Sequence, residues 1–149
     1  MFWLKSLKRH CLPYAFAAQK VADFGNWEYF LPTFGLNGFL FTIVAQKIKN
    51  PYLNNFFLKT RTIKNVSIIF KKDGTKKMLQ ALKEKNYLGL ASDQNAGKKG
   101  TLNKLFNMPT STPKGAAILN IKNKTPIIMS FITMNKNYTY SIFSKKLSI

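Results

Sequence analysis

The chain has 149 residues and a formal net charge of +19, because 24 lysines and arginines face 5 aspartates and glutamates. The length suffices for one domain with a real core, and a hydrophobic share of 46% excludes a purely solvating tail. A single cysteine excludes an internal disulfide and a thiolate zinc cluster, and no apolar run reaches the ~18 residues of a spanning helix.

The first 22 residues form a basic segment that we expect to lie in a membrane interface or to be disordered. Within it, "CLPYAFAAQKV" makes a poor buried strand. The sequence then predicts strands in "FLFTIVAQKI", "NVSIIF", "YLGLAS", "TPIIMSFIT" and "YTYSIF". Helices are predicted from Pro51 to near Arg61, from Asp73 or Thr75 to about Lys85, and from Pro113 to Lys122, with a polar loop from Asp93 to Asn107.

Strands that alternate with helices predict an α/β fold with a mostly parallel open sheet flanked by helices. In such sheets, ligands bind beyond the carboxyl ends of the strands. The stretches "ADFGNWE" and "SDQNAGKKG" both fall at such ends. We therefore expect one site there, built from both stretches.

Three stretches carry a resemblance to a known family: "FGNWEYF" at 24–30, "NPYLNNFFLKTR" at 50–61 and the run from 91 to 131. The last combines Asp-Gln, Ala-Gly, Phe-x-x-Pro and Thr-Pro-x-Gly. The chain resembles the lipid A biosynthesis late acyltransferases, which transfer lauroyl or myristoyl groups, within the lysophospholipid acyltransferase superfamily. The resemblance covers 23–149 and implies a glycerophosphate-acyltransferase-like core. Because family members are usually longer, we expect an incomplete domain, either a fragment or a degenerate copy.

The first motif of that superfamily is a histidine, any four residues, then an acidic residue. The histidine removes the proton from an acceptor hydroxyl, and the carboxylate holds the imidazole in the useful tautomer. Glu28 matches the carboxylate, but Asp23 occupies the position of the histidine. The site is therefore either an altered carboxylate pair or one that has lost its catalysis, and we expect the second.

The resemblance also implies residues that bind substrate. Arg61 aligns with an arginine that contacts an acceptor phosphate or shapes the pocket, although a cation is also favourable at a helix end. Asp93 and Gln94 line the site or form a turn, and Lys98 and Lys99 face lipid phosphates or belong to a solvated loop.

The expected function is the transfer of a fatty acyl chain from acyl carrier protein to a hydroxyl of a phosphorylated lipid A precursor. The resemblance implies a peripheral protein at the cytoplasmic face of the bacterial inner membrane and chemistry without a metal or bound cofactor. The positive charge suits the carrier protein, the lipid phosphates and an anionic membrane surface. The alternative is a non-catalytic basic module that binds membranes or nucleic acid, but no nucleic-acid-binding motif is present, so no nucleic acid is expected.

Overall fold

The computed structural model describes residues 15–18, 27–91 and 95–147. Its strands are β1 (Ala15–Ala18), β2 (Phe41–Ala45), β3 (Val66–Phe70), β4 (Tyr87–Ala91), β5 (Thr101–Leu105), β6 (Met108–Thr112), β7 (Ile127–Met134) and β8 (Tyr140–Lys146). Its α-helices are α1 (Phe30–Leu36), α2 (Pro51–Arg61), α3 (Gly74–Lys83) and α4 (Gly115–Asn123). Single-turn helices occupy Trp27–Tyr29, Lys71–Asp73 and Gly97–Lys99.

Six strands form one sheet in the order β3-β2-β4-β1-β7-β8, and β5 and β6 form a separate hairpin. Neighbouring strands from β3 through to β7 are parallel, and β8 lies antiparallel to β7 at one edge. The predicted mostly parallel open sheet with flanking helices is confirmed. Its central strands are near-continuous apolar runs because helices cover both faces of such a sheet.

Two apolar clusters form the core. The larger joins α1 and one face of the sheet, with buried members Phe30, Leu31, Phe34, Phe39, Phe41, Ile43, Val66, Tyr87, Ile128 and Ile132. The smaller joins the sheet to α3 and α4 through Leu82, Leu88, Leu90 and Leu119. Tyr87 and Leu88 belong to different clusters because successive side chains of a strand point to opposite faces. The helices therefore lie on both sides of the sheet.

Strand β1 shows that the expectation for "CLPYAFAAQKV" was wrong. Ala15–Ala18 pairs in parallel with β4 on one side and with β7 on the other. Three of the four residues are alanines, which have low strand propensity, so the local sequence gives only a weak signal for this strand. Backbone pairing to two apolar neighbours determines the structure here. The domain boundary between residues 22 and 23 remains a prediction, although β1 belongs to the sheet.

The hairpin lies where a polar loop was expected. The strand β5 occupies Thr101–Leu105 and pairs with β6 through a tight turn at Phe106 and Asn107. Both turn residues have positive φ, 49° and 63°. Turns of this kind usually carry Asn-Gly, so a phenylalanine at the first position concealed the signal.

Helix α1 was not expected, because Pro32 and Gly35 suggested only an irregular apolar stretch. Proline is tolerated in the first helical turn, where its missing N–H has no helical acceptor. A Cβ at Gly35 would lie 2.3 Å from the carbonyl oxygen of Lys64, so the glycine permits a close contact between α1 and the segment before β3.

Two pairs of hydroxyls face each other across neighbouring strands. The Oγ1 of Thr42 and the Oγ of Ser67 are 2.8 Å apart, and Asn86 donates to the threonine at 3.2 Å. The Oγ atoms of Ser130 and Ser144 are 2.6 Å apart. In both pairs the two residues are direct partners in the strand register. Thr42 and Ser130 are almost fully buried, so these pairs satisfy polar groups inside the sheet.

The aromatic core generates a stability prediction. The ring of Phe34 has no solvent exposure and contacts the rings of Phe30, Phe39 and Phe41 at centroid distances of 4.7, 5.4 and 5.2 Å. We expect Phe34→Ala to lower the free energy of unfolding by about 3–5 kcal/mol, measured by urea denaturation followed by circular dichroism. The control is Phe106→Ala, the same change at a residue that is 93% exposed, with an expected effect below about 0.5 kcal/mol. Equal losses would contradict this placement of the core.

Candidate functional site

A bidentate ion pair joins Glu28 to Arg61. The Nε of Arg61 donates to Oε2 of Glu28 at 3.0 Å, and its Nη2 donates to Oε1 at 2.5 Å. The arginine side chain is 15% exposed and the glutamate side chain 34% exposed. Partial burial lowers the local dielectric, and the fork geometry aligns both hydrogen bonds, so this pair is stronger than a typical surface contact.

The arginine is fixed by the helix that carries it. Asn50 caps α2 by accepting from the backbone N–H groups of Tyr52 and Leu53, and Pro51 occupies the first turn. Arg61 is the last residue of the helix, where a cation interacts favourably with the helix dipole. Its guanidinium carbon lies 4.7 Å from the ring centroid of Phe57, one helical turn earlier, which adds a cation–π contact.

The glutamate is fixed by the apolar residues that follow it. Glu28 lies in the single turn Trp27–Tyr29, which leads directly into α1. Phe30 and Leu31 are buried in the larger core cluster, so they hold the turn against the sheet. The ring of Tyr29 stacks on that of Tyr140 at a centroid distance of 4.8 Å. These contacts set the direction in which the carboxylate approaches α2.

A shallow, solvent-open groove lies beside the ion pair. Its lining residues are Ala45, Gln46, Ile48, Asn54, Phe57, Leu58, Arg61, Ile68 and Phe70. Ala45 and Phe70 are the last residues of β2 and β3, so the groove lies at the carboxyl ends of parallel strands, where ligands of α/β sheets bind. Arg61 belongs both to the ion pair and to the wall of this groove.

The predicted site residues divide into three groups. Glu28 and Arg61, predicted from separate motifs, are brought together. Asp23, Asp93 and Gln94 lie outside the described residues. Lys98 and Lys99 are exposed in the single-turn helix Gly97–Lys99 at the base of the β5–β6 hairpin.

Sequence reasoning missed two residues of this region, Phe57 and Asn54. Phe57 precedes Arg61 by four positions, a spacing that places both side chains on one face of a helix and could have indicated the contact. Asn54 is 9% exposed, and its Oδ1 accepts from the backbone N–H of Ile48 at 3.1 Å. A buried asparagine in a helix that follows a strand signals such a bond to the connecting segment.

The sheet, parallel apart from its edge strand β8, and the helices on its faces define the chain as an α/β domain. The sequence model of the bacterial lipid A biosynthesis acyltransferase family matches residues 20–146. The chain belongs to this family, and the resemblance seen in its motifs is thereby confirmed. No curated protein sequence matches the chain significantly.

Family membership identifies the domain as an acyltransferase domain and implies an acyl donor and a lipid acceptor. It also places the chain among the bacterial enzymes of lipid A biosynthesis, which are associated with a membrane. Across the described ranges, no helix has the length and apolar character needed to cross a bilayer.

The ion pair can be tested by a double-mutant cycle with Glu28→Gln, Arg61→Gln and the double variant. We expect a coupling free energy of about 1 kcal/mol from urea denaturation at low salt, since the pair is bidentate and partly buried. A matched control is the surface pair of Asp73 and Lys77, whose charged atoms are 3.2 Å apart and whose side chains are 34% and 58% exposed. There we expect only about 0.3–0.5 kcal/mol. A coupling free energy between Glu28 and Arg61 no larger than that of the control pair would refute the claim that this ion pair is stronger than a surface contact.

Proposed function

We propose that this chain is descended from, and retains the substrate sites of, an enzyme that moves a fatty acyl chain from acyl carrier protein to a hydroxyl of a phosphorylated lipid A precursor. It acts as a peripheral protein at the cytoplasmic face of the inner membrane, and its own catalysis is impaired. The observation that carries the proposal is the family match over 20–146, a range that contains Glu28 and Arg61.

In this reaction the acceptor hydroxyl oxygen attacks the thioester carbonyl carbon. The new C–O ester bond forms, the C–S bond breaks, and the thiol of the carrier leaves with the proton that the hydroxyl loses. A positioned base at residue 23 would take that proton first and pass it to the departing sulfur. A carboxylate of ordinary acidity is a much weaker base than imidazole at neutral pH, so Asp23 leaves the step poorly catalysed.

The groove supports the lipid side of the proposal. Phe57, Leu58, Ile68 and Phe70 give it apolar walls, and Arg61 adds a cation at its edge. A phosphorylated lipid presents both an apolar part and an anion, and a guanidinium binds phosphate through directed hydrogen bonds. Glu28 then serves to orient this guanidinium.

The catalytic part of the proposal is tested by Asp23→His. We expect the variant to transfer acyl groups from acyl carrier protein to the tetra-acylated lipid A precursor at least ~10²-fold faster than the parent chain, because imidazole restores general base catalysis. The matched control is Asp73→His, which introduces the same side chain on the surface pair with Lys77 and should leave the rate unchanged.

Robust transfer by the parent chain at the rate of Asp23→His would overturn the claim of impaired catalysis and favour an altered carboxylate pair. Inactivity of both chains would instead assign the loss to other departures from the family pattern, such as Leu105, Phe106 and Asn107.

The role of Arg61 in acceptor binding is tested by equilibrium binding, which does not require turnover. We expect Arg61→Lys to weaken binding of the phosphorylated precursor about tenfold, because lysine keeps the charge but loses the bidentate fork. Binding of the dephosphorylated precursor should change much less in the same variant. Equal weakening of both ligands would show that the arginine shapes the groove and does not contact a phosphate.

A further inference from the structure

The β5–β6 hairpin stands apart from the main sheet and has little core of its own. All five residues of β5 are exposed, as are Met108 and Pro109 at the start of β6. Two-stranded ribbons are marginally stable in water unless another surface packs against them. The exposed hairpin would therefore be stabilised by a partner surface that packs against it.

The end of the hairpin is apolar and protrudes into solvent. Leu105, Phe106 and Met108, here called the apolar tip, are 52%, 93% and 68% exposed. Leu105 and Met108 are direct partners in the register, so their side chains lie on one face beside the turn. Phe106 holds a left-handed φ of 49°, which the two-residue turn requires and which directs this bulky side chain into solvent at the end of the hairpin.

The base of the hairpin is fixed to a lysine-bearing turn. Ser111 donates to the carbonyl of Gly97 at 2.6 Å, and the backbone N–H of Ala96 donates to the carbonyl of Ser111 at 3.0 Å. A Cβ at Gly100 would lie 2.1 Å from the Oγ of Ser111, so the two segments pack without space between them. The exposed Lys98 and Lys99 are thereby held at a set position relative to the tip.

The stretch of sequence that contains the hairpin carries charge of one sign. Residues 95–147 contain nine lysines and no aspartate or glutamate. This distribution repels a second copy of the chain, and it complements an anionic surface. An acidic protein could pair with the lysines, but it would also need a concave pocket for the protruding apolar tip. A lipid interface takes up such a tip without a preformed pocket.

The dimensions of the hairpin match an interfacial lipid site. Five strand residues at about 3.4 Å each extend about 17 Å from base to tip. Insertion of the tip by about 5–10 Å would place Lys104, next to the tip, among the headgroups. Lys98 and Lys99 would then lie within about one Debye length, ~8–10 Å, of the membrane surface.

From these observations we infer that the β5–β6 hairpin is a membrane-docking element, with its apolar tip inserted into an anionic bilayer and its lysines at the headgroups. The inference deepens the membrane association in the proposed function and rests on it for the choice of a bilayer as partner. In this inference Lys98 and Lys99 interact electrostatically with the anionic headgroups of the bilayer.

The test is sedimentation of the full chain with vesicles of phosphatidylethanolamine and phosphatidylglycerol, compared with vesicles of phosphatidylcholine. We expect binding to the anionic vesicles, weakened about tenfold by Phe106→Ser and more by the double variant with Met108→Ser. Lys98→Gln and Lys99→Gln should each weaken it about fivefold. The matched control is Tyr138→Ser, since Tyr138 is also an exposed aromatic residue, 82% exposed, at a positive φ of 60°.

A second measurement guards against variants that fail to fold. An environment-sensitive fluorophore is attached to Phe106→Cys or Tyr138→Cys in a Cys11→Ser background, and a blue shift on adding anionic vesicles is expected only at position 106. Vesicle binding that persists unchanged in the tip variants, without a shift at 106, would overturn the hairpin's role and leave the membrane association of the proposed function standing. Failure of the parent chain to bind anionic vesicles would overturn both.

Discussion

The architecture depends on the backbone pairing of β1, whose four residues hydrogen-bond to β4 on one side and to β7 on the other. Without this strand the sheet would separate into β3-β2-β4 and β7-β8, and each part would carry an unpaired edge. The larger core cluster crosses this junction, because it includes Tyr87 from β4 and Ile128 from β7. Their strands must lie two inter-strand spacings apart, about 9.6 Å, for that cluster to close. The packing of α1 against the sheet therefore requires the pairing of a strand only four residues long.

The same arrangement positions the site. The turn that carries Glu28 leads into α1, and Arg61 ends α2, so their ion pair joins two segments that are 33 positions apart in the sequence. In the family motif a carboxylate at this position is associated with a base, and in this chain it contacts a guanidinium. A carboxylate paired with a guanidinium presents less negative charge to an anionic acceptor than an isolated one. Glu28 therefore adds less negative charge to the edge of the groove than its carboxylate would add without Arg61.

Much of the sheet could be predicted because its strands are continuous apolar segments, as "NVSIIF" and "YLGLAS" illustrate. Helix α2 was predicted from Pro51 to near Arg61, as observed, because Pro51 marks its start and the apolar residues that follow have helical spacing. The sequence contains little indication of β1, because three of its four residues are alanines and its pairing depends on its neighbours, or of the hairpin, whose strand β5 is exposed along its whole length. Within the site, motif spacing identified Glu28 and Arg61 separately. Their direct contact could not be predicted, because it depends on the angle between α1 and α2.

The buried hydroxyl pairs have a consequence for strand alignment. In strands that are apolar on both faces, the hydrophobic pattern discriminates weakly between neighbouring registers. Thr42 with Ser67, and Ser130 with Ser144, face each other only in the observed register. A shift by one residue would remove the hydroxyl partner of Thr42 and of Ser130, the two buried members, at a cost of about 1–3 kcal/mol for each group left unsatisfied. The two hydroxyl pairs, one toward each edge of the sheet, therefore favour the observed strand register, which the apolar side chains alone specify only weakly.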